Sequence, residues 1–206
     1  MTVSRYQVID GQHNFELEIK KSKFIGHVGH SSDRQQAMDF IASIKTLHPQ
    51  ASHNCWAFQA GPPGSSQVIG CSDDGEPHGT AGKPILNVLM HAKVGEIAVV
   101  VTRYYGGIKL GTGGLARAYS ESAKKTIEHS ETIEKFDYVN IELEIEYQQW
   151  SQLELLLHQF QAHEVVPVFN ETVKISSKID EAFLEDFNKK FRDLTLGKGV
   201  LIKING

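Results

Sequence analysis

VVTRYYGGIKLGTGGLARAY, residues 100–119, passes from an apolar strand through a glycine-rich loop into a helix. The strand begins upstream, because Ile97–Val101 is an unbroken apolar run too short for anything but a buried strand. Past the loop, Leu115, Tyr119, Ser122 or Ala123, and Thr126 or Ile127 recur at helical spacing, which predicts a helix over Thr112–Glu128. A strand and a helix joined by a loop carrying Arg103, Tyr104, Tyr105, Lys109 and two glycine pairs form the centre of the first half of the chain.

The period changes at residues 130–137. Val139, Ile141, Leu143, Ile145 and Tyr147 alternate with Asn140, Glu142, Glu144 and Glu146, the pattern of a strand with one dry face. Trp150, Leu153, Leu156, Leu157 and Phe160 then mark a helix. Two strands follow around Val165–Val168 and Val173–Ile175, joined near Asn170–Glu171. A second helix is marked by Ile179, Phe183, Phe187 and Phe191, and Val200–Ile204 is a closing strand. The order β-α-β-β-α-β fits a split βαβ sandwich. The sequence therefore reads as two α+β domains, 1–134 and 135–206.

The rest of the first domain is also mixed. Strands are expected at Phe15–Lys20 and Lys23–Gly29 around a turn at Lys21–Ser22. Ser32 with Gln35 suggests a capping box before a helix with Ala37, Phe40 or Ile41, Ile44 and Leu47 inward. His53–Gln59 and Gln67–Cys71 read as a hairpin across Gly61-Pro62-Pro63-Gly64, and a helix runs from near Thr80 to His91.

With 206 residues, 40% hydrophobic and 22% charged, the chain has the composition of an ordinary globular protein. Its apolar runs are far too short to span a bilayer, and residues 1–20 lack the apolar centre of a signal peptide. Two cysteines, Cys55 and Cys71, do not make a disulfide framework, so a reduced, cytoplasmic setting is expected. Net charge is -4, and neither half is a basic module. Nucleic-acid binding therefore has to rest on a local patch.

Two loops look like a site, since loops held by rigid elements tend to carry function. In the first, Ser72–Pro84, stand Asp73, Asp74, Glu76, His78 and Lys83. Its acids have the hard oxygens that Mg²⁺ or Ca²⁺ prefers, but no calcium-loop or zinc spacing is present, and no metal or other cofactor is expected. In the second, the amides of Gly113, Gly114 and Leu115 lie in a first helical turn. Either an anion or the Thr112 hydroxyl can take them. Arg103 and Lys109 would add charge there, and Tyr104 or Tyr105 could stack on an exposed base. Lys20, Lys21 and Lys23 form another small basic cluster. A nucleophile–base pair drawn from Cys71, Ser72, His53 and His78 supplies hydrolase residue types, with no recognisable elbow motif.

Four blocks then carry a resemblance: Ser22-Lys23-Phe24-Ile25-Gly26; His53-Asn54-Cys55-Trp56-Ala57-Phe58; Asp73-Asp74-Gly75-Glu76-Pro77 with Gly79-Thr80-Ala81-Gly82-Lys83-Pro84; and Arg103-Tyr104-Tyr105-Gly106-Gly107 with Lys109-Leu110-Gly111. In this order they resemble the IMPACT family in its bacterial two-domain form, over about residues 4–204. The resemblance implies a first domain like the second domain of ribosomal protein S5. It implies a ferredoxin-like second domain similar to the C-terminal domain of elongation factors. Its eukaryotic members act in translational control, by competing for the activator of a kinase that senses amino-acid starvation. The expected function is non-enzymatic binding of RNA or a ribosome-associated factor. Lys83, Arg103, Tyr104, Tyr105, Lys109, Thr112, Gly113 and Gly114 would form the anion-binding surface, with Asp73, Asp74, Glu76 and His78 as a polar loop beside it. The alternatives are a small-molecule or metal-dependent hydrolase built on the same two loops, and a protein-interaction module. No membrane contact is expected.

Overall fold

The computed structural model describes residues 5–204, so the outermost residues of both expected domains lie outside the described residues. The chain divides into two compact units, one of Tyr6–Lys135 and the other of Phe136 onward together with Arg5.

The first unit is built on a five-stranded antiparallel sheet in the order β2-β3-β6-β4-β5. Its strands are β2 (Gln12–Ile19), β3 (Ser22–His30), β4 (His53–Gln59), β5 (Ile69–Ser72) and β6 (Ile97–Tyr104). Helices cover both faces, and the alternation along β6 shows why that strand reads as continuously apolar. Ile97, Val99 and Val101 enter the core under α2 (Gly82–His91) and α3 (Thr112–Glu128). Ala98 and Val100 enter the core under α1 (Arg34–Leu47) on the other side. A central strand dry on both faces has no polar side to show. A two-stranded ribbon pairs β1 (Arg5–Ile9) with β7 (Thr132–Phe136); neither strand is expected from the sequence.

Several boundaries move for identifiable reasons. The β2–β3 turn falls on Lys20–Lys21 rather than Lys21–Ser22, with both residues at positive φ (49° and 63°), as two-residue hairpin turns require. The α1 cap is Asp33, which accepts from the Gln36 amide at 2.9 Å, rather than Ser32. Ser32 keeps a smaller role, its amide donating to Gln36 Oε1 at 3.1 Å.

The second unit runs β8 (Tyr138–Ile145), α4 (Trp150–Gln159), β9 (His163–Phe169), β10 (Val173–Asp180), α5 (Leu184–Leu194), β11 (Val200–Ile204). Its antiparallel sheet has the order β11-β8-β10-β9. Ile141, Leu143, Ile145, Val173, Ile175 and Ile179 face the two helices, where they meet Leu153, Leu157, Phe187 and Phe191. Ile179, expected at the start of a helix, is the last inward residue of β10 instead. Arg5 closes one end of this core: its Nε donates to Asp180 Oδ2 at 2.6 Å, and its guanidinium lies 4.9 Å and 4.7 Å from the Phe136 and Phe183 ring centres.

Candidate functional site

The acidic loop after β5 is folded by its own carboxylates. Asp73 accepts from the amides of Gly79 (2.7 Å), Ala81 (3.0 Å) and Gly82 (2.8 Å), satisfying the open end of α2 from outside the helix. Burial works against its ionisation, yet those three amides and His78 hold the carboxyl below the usual carboxylate range. Asp74 accepts from Lys45 Nζ and from the Asn54 amide, each at 2.7 Å, which outweighs burial in the same way.

Glu76 turns into the protein. Position 103 lies on the α2–α3 face of β6, two residues beyond Val101, so the Arg103 side chain enters the core. There Arg103 Nη1 donates to Glu76 Oε1 at 2.6 Å. The same oxygen accepts from Tyr119 Oη at 2.8 Å, and His53 Nε2 stands 3.9 Å away. Burial, reinforced by Cys55 and Glu76, drives the Tyr119 phenol upward in pKa. Burial likewise pushes the Cys55 thiol up to about 12; its Sγ donates to the Asp73 carbonyl at 2.9 Å.

The expected site is thereby sorted. Arg103 is buried on Glu76 and is not presented to an external phosphate, because burying a guanidinium demands a paired anion. His78 is fully exposed, 3.8 Å from a carboxylate already engaged by three amides, so it does not converge with Glu76 on a hydrolytic centre. No group of three metal-ligating side chains occurs among the described residues. Tyr104 is half-buried on the α1 side, its hydroxyl 3.0 Å from His48 Nδ1. Thr112 does not cap α3: the cap position is Gly111, at a φ of 73°, with no side-chain hydrogen bond. The first-turn amide of Leu115 is taken by the Gly111 carbonyl at 2.9 Å.

Lys83, Tyr105, Lys109, Thr112 and Gly113 are exposed, and Gly114 is half-buried. The Tyr105 ring centre lies 5.5 Å from the Arg103 guanidinium, which supports the aromatic plane from inside. What the sequence did not join is the Lys20–Lys21 turn. Gly106 sits directly against the Lys21 backbone, where a Cβ would overlap the Lys21 carbonyl, and its amide donates to Ser22 Oγ at 3.1 Å. The Lys20–Lys21 turn thus lies against the loop that carries Tyr105 and Lys109. The pairing of Lys23 with Tyr104 across β3 and β6 fixes that proximity. Its sequence signal is the Gly106-Gly107 pair, since glycine permits close backbone approach. Among the described residues, Lys20, Lys21, Lys83 and Lys109 enter no ion pair.

A family model described as the Impact N-terminal domain matches residues 20–127, which hold both loops and the basic turn. This chain belongs to the IMPACT family. A second model, a domain of unknown function named DUF1949, matches residues 143–198. Similar proteins include the IMPACT family member YigZ of Escherichia coli, 41% identical over 91% of this chain and 92% of its own. An IMPACT family member of Haemophilus influenzae is 40% identical over 91% of both chains. YvyE of Bacillus subtilis is 36% identical over 91% of this chain and 85% of its own. A solved structure titled as that of a hypothetical protein matches at a TM-score of 0.68 and 37% identity, covering 98% of each chain. The IMPACT match thus extends over both units. In the described residues no helix is long and apolar enough to cross a membrane.

Proposed function

We propose that this IMPACT-family protein is a non-enzymatic binding protein of the cytoplasmic translation apparatus. In this reading it contacts RNA through the surface formed by Lys20, Lys21, Tyr105 and Lys109, with Lys83 and the Thr112–Gly114 turn at its margin. The observation that carries the reading is the seating of Gly106 on Lys21, which brings the unpaired lysines of the Lys20–Lys21 turn against the loop that carries exposed Tyr105 and Lys109. Cations beside a stacking platform are what single-stranded RNA demands, since phosphates supply most of the affinity and bases stack with little regard to sequence. The domain reading supports a translation setting by analogy of fold. We take 1–134 as an IMPACT-type domain similar to the second domain of ribosomal protein S5, and 135–206 as ferredoxin-like. The βαββαβ order with the sheet order β11-β8-β10-β9 favours the latter.

The test is binding of a fluorescently labelled single-stranded RNA across a salt series, beside a Lys21→Ala, Lys109→Ala variant. Affinity should fall steeply with salt, and losing two phosphate contacts should reduce the log–log slope by about 1.4. No binding at low salt overturns RNA recognition by the isolated protein.

A further inference from the structure

Among the described residues, the second unit sets no helix of its own on one face of its sheet. Both helices, α4 and α5, pack on the face of Ile141, Leu143 and Ile175. The opposite face is ordered by strand register into short cross-sheet rows. One row reads Val200, Glu144, Lys174, Val168 from β11 to β9; the next reads Ile202, Glu142, Ser176, Val166. Ile204, Asn140 and Lys178 continue the first three columns. A solvent-facing sheet surface is ordinarily polar throughout. Here the columns at both edges are β-branched and apolar, with exposures of 56% (Val166), 49% (Val168), 47% (Val200), 52% (Ile202) and 40% (Ile204). The two central columns are of opposite sign, glutamates on β8 and lysines on β10.

We propose that this face binds a second copy of the same chain. The column pattern is self-complementary about one axis only. A two-fold axis parallel to the strands, midway between the two stacked faces and above the gap between β8 and β10, lays β8 over the partner's β10 and β11 over the partner's β9. Glutamates then oppose lysines twice, and the apolar edges of Val200 and Ile202 cover those of Val168 and Val166. A two-fold axis across the strands lays β8 on β8 and sets glutamate against glutamate, which charge repulsion forbids. A face that complements itself under a two-fold operation is the requirement for a closed isologous dimer, and sheets stack face to face at about 10 Å with a small twist. The lysines are partly engaged within the chain, Lys174 with Glu144 at 3.8 Å and Lys178 with Glu164 at 2.6 Å, so stacking extends existing pairs into a four-charge lattice. The face is small, about 20 Å by 15 Å from strand spacing and rise. That is below a standard interface, and dissociation on the order of 100 µM is expected. The dimer is independent of the RNA reading, which concerns the other unit.

Sedimentation velocity of the full chain, from about 10 to about 500 µM, tests the proposal with two charge-reversed variants. One carries Glu142→Lys and Glu144→Lys, the other Lys174→Glu and Lys178→Glu. Wild type should dimerise over this range, and each variant alone should bind itself at least tenfold more weakly. An equimolar mixture of the two should recover association at least as tight as wild type. Recovery on mixing requires both variants to be folded and cannot come from pairs within one chain. A wild type that stays monomeric at the top concentration overturns the proposal, and so does a dimer indifferent to both reversals.

Discussion

Arg103 and Glu76 form an ion pair of 2.6 Å with the side chains 7% and 4% exposed, and Tyr119 shares the same carboxylate oxygen. Two charges removed from water in this way fix geometry more than they add stability, because desolvation offsets most of the Coulomb attraction. Removing one partner is another matter. Glu76→Ala should leave a buried guanidinium and an unpaired phenol, and destabilise the first unit by about 3–5 kcal/mol. A Glu76→Leu, Arg103→Met double variant should recover part of that loss. Urea unfolding followed by tryptophan fluorescence checks both, and a double variant no more stable than Glu76→Ala would contradict the pairing.

The Asp73 carboxylate, bound by three amides, is a cap supplied from outside its helix. Asp73→Ala should cost about 1–2 kcal/mol. Because the folded carboxyl is held below its unfolded value, the stability it confers is present above about pH 4 and fades as pH falls further. Acid titration of wild type and variant should converge at the low end.

His27 behaves in the opposite sense. Burial first, and then the neighbouring His48 ring 4.8 Å away, bring it from 6.5 down to about 4. The unfolded chain therefore binds a proton between those values that the folded chain refuses, so stability should drop by about 3 kcal/mol from pH 7 to pH 4 through this group alone. His27→Gln should flatten the thermal-melting profile over that window. An unchanged profile would place the titration elsewhere.

The two thiols should separate kinetically. Cys55 is buried, pushed up to about 12 and bonded to the Asp73 carbonyl, whereas Cys71 is exposed, though burial of its sulfur and Asp73 raise it as well. Iodoacetamide on the native protein should label Cys71 slowly and leave Cys55 untouched until denaturant is added. Peptide mass spectrometry reads this directly, and equal labelling would refute the packing around Cys55.

What the sequence could reveal depended on whether the relevant pattern was local. The limits of α3 and β11 are legible because apolar spacing continues to their ends. Ile179 misleads because its four-residue spacing to Phe183 imitates a helix face while β10 is still running inward. Arg103 was open to a better reading, since carrying the alternation of Ile97, Val99 and Val101 two residues further sends its side chain into the core. No local rule selects Glu76 over Asp73 or Asp74 as its partner; that choice is made by the path of the loop over α2. The contact between the Lys20–Lys21 turn and Gly106 spans more than eighty residues and follows only from the β3–β6 register.

The β1–β7 ribbon has a consequence for biosynthesis. Residues 5–9 leave the ribosome well before their partner strand at 132–136, which is made more than a hundred residues later. Until then the opening strand, with Tyr6, Val8 and Ile9 destined for burial, has no ladder to join. Closing so long a loop is slow in entropic terms, which makes it a late step of maturation. A chain lacking residues 5–9 would carry β7 as a permanently open edge, prone to recruit strands from its neighbours.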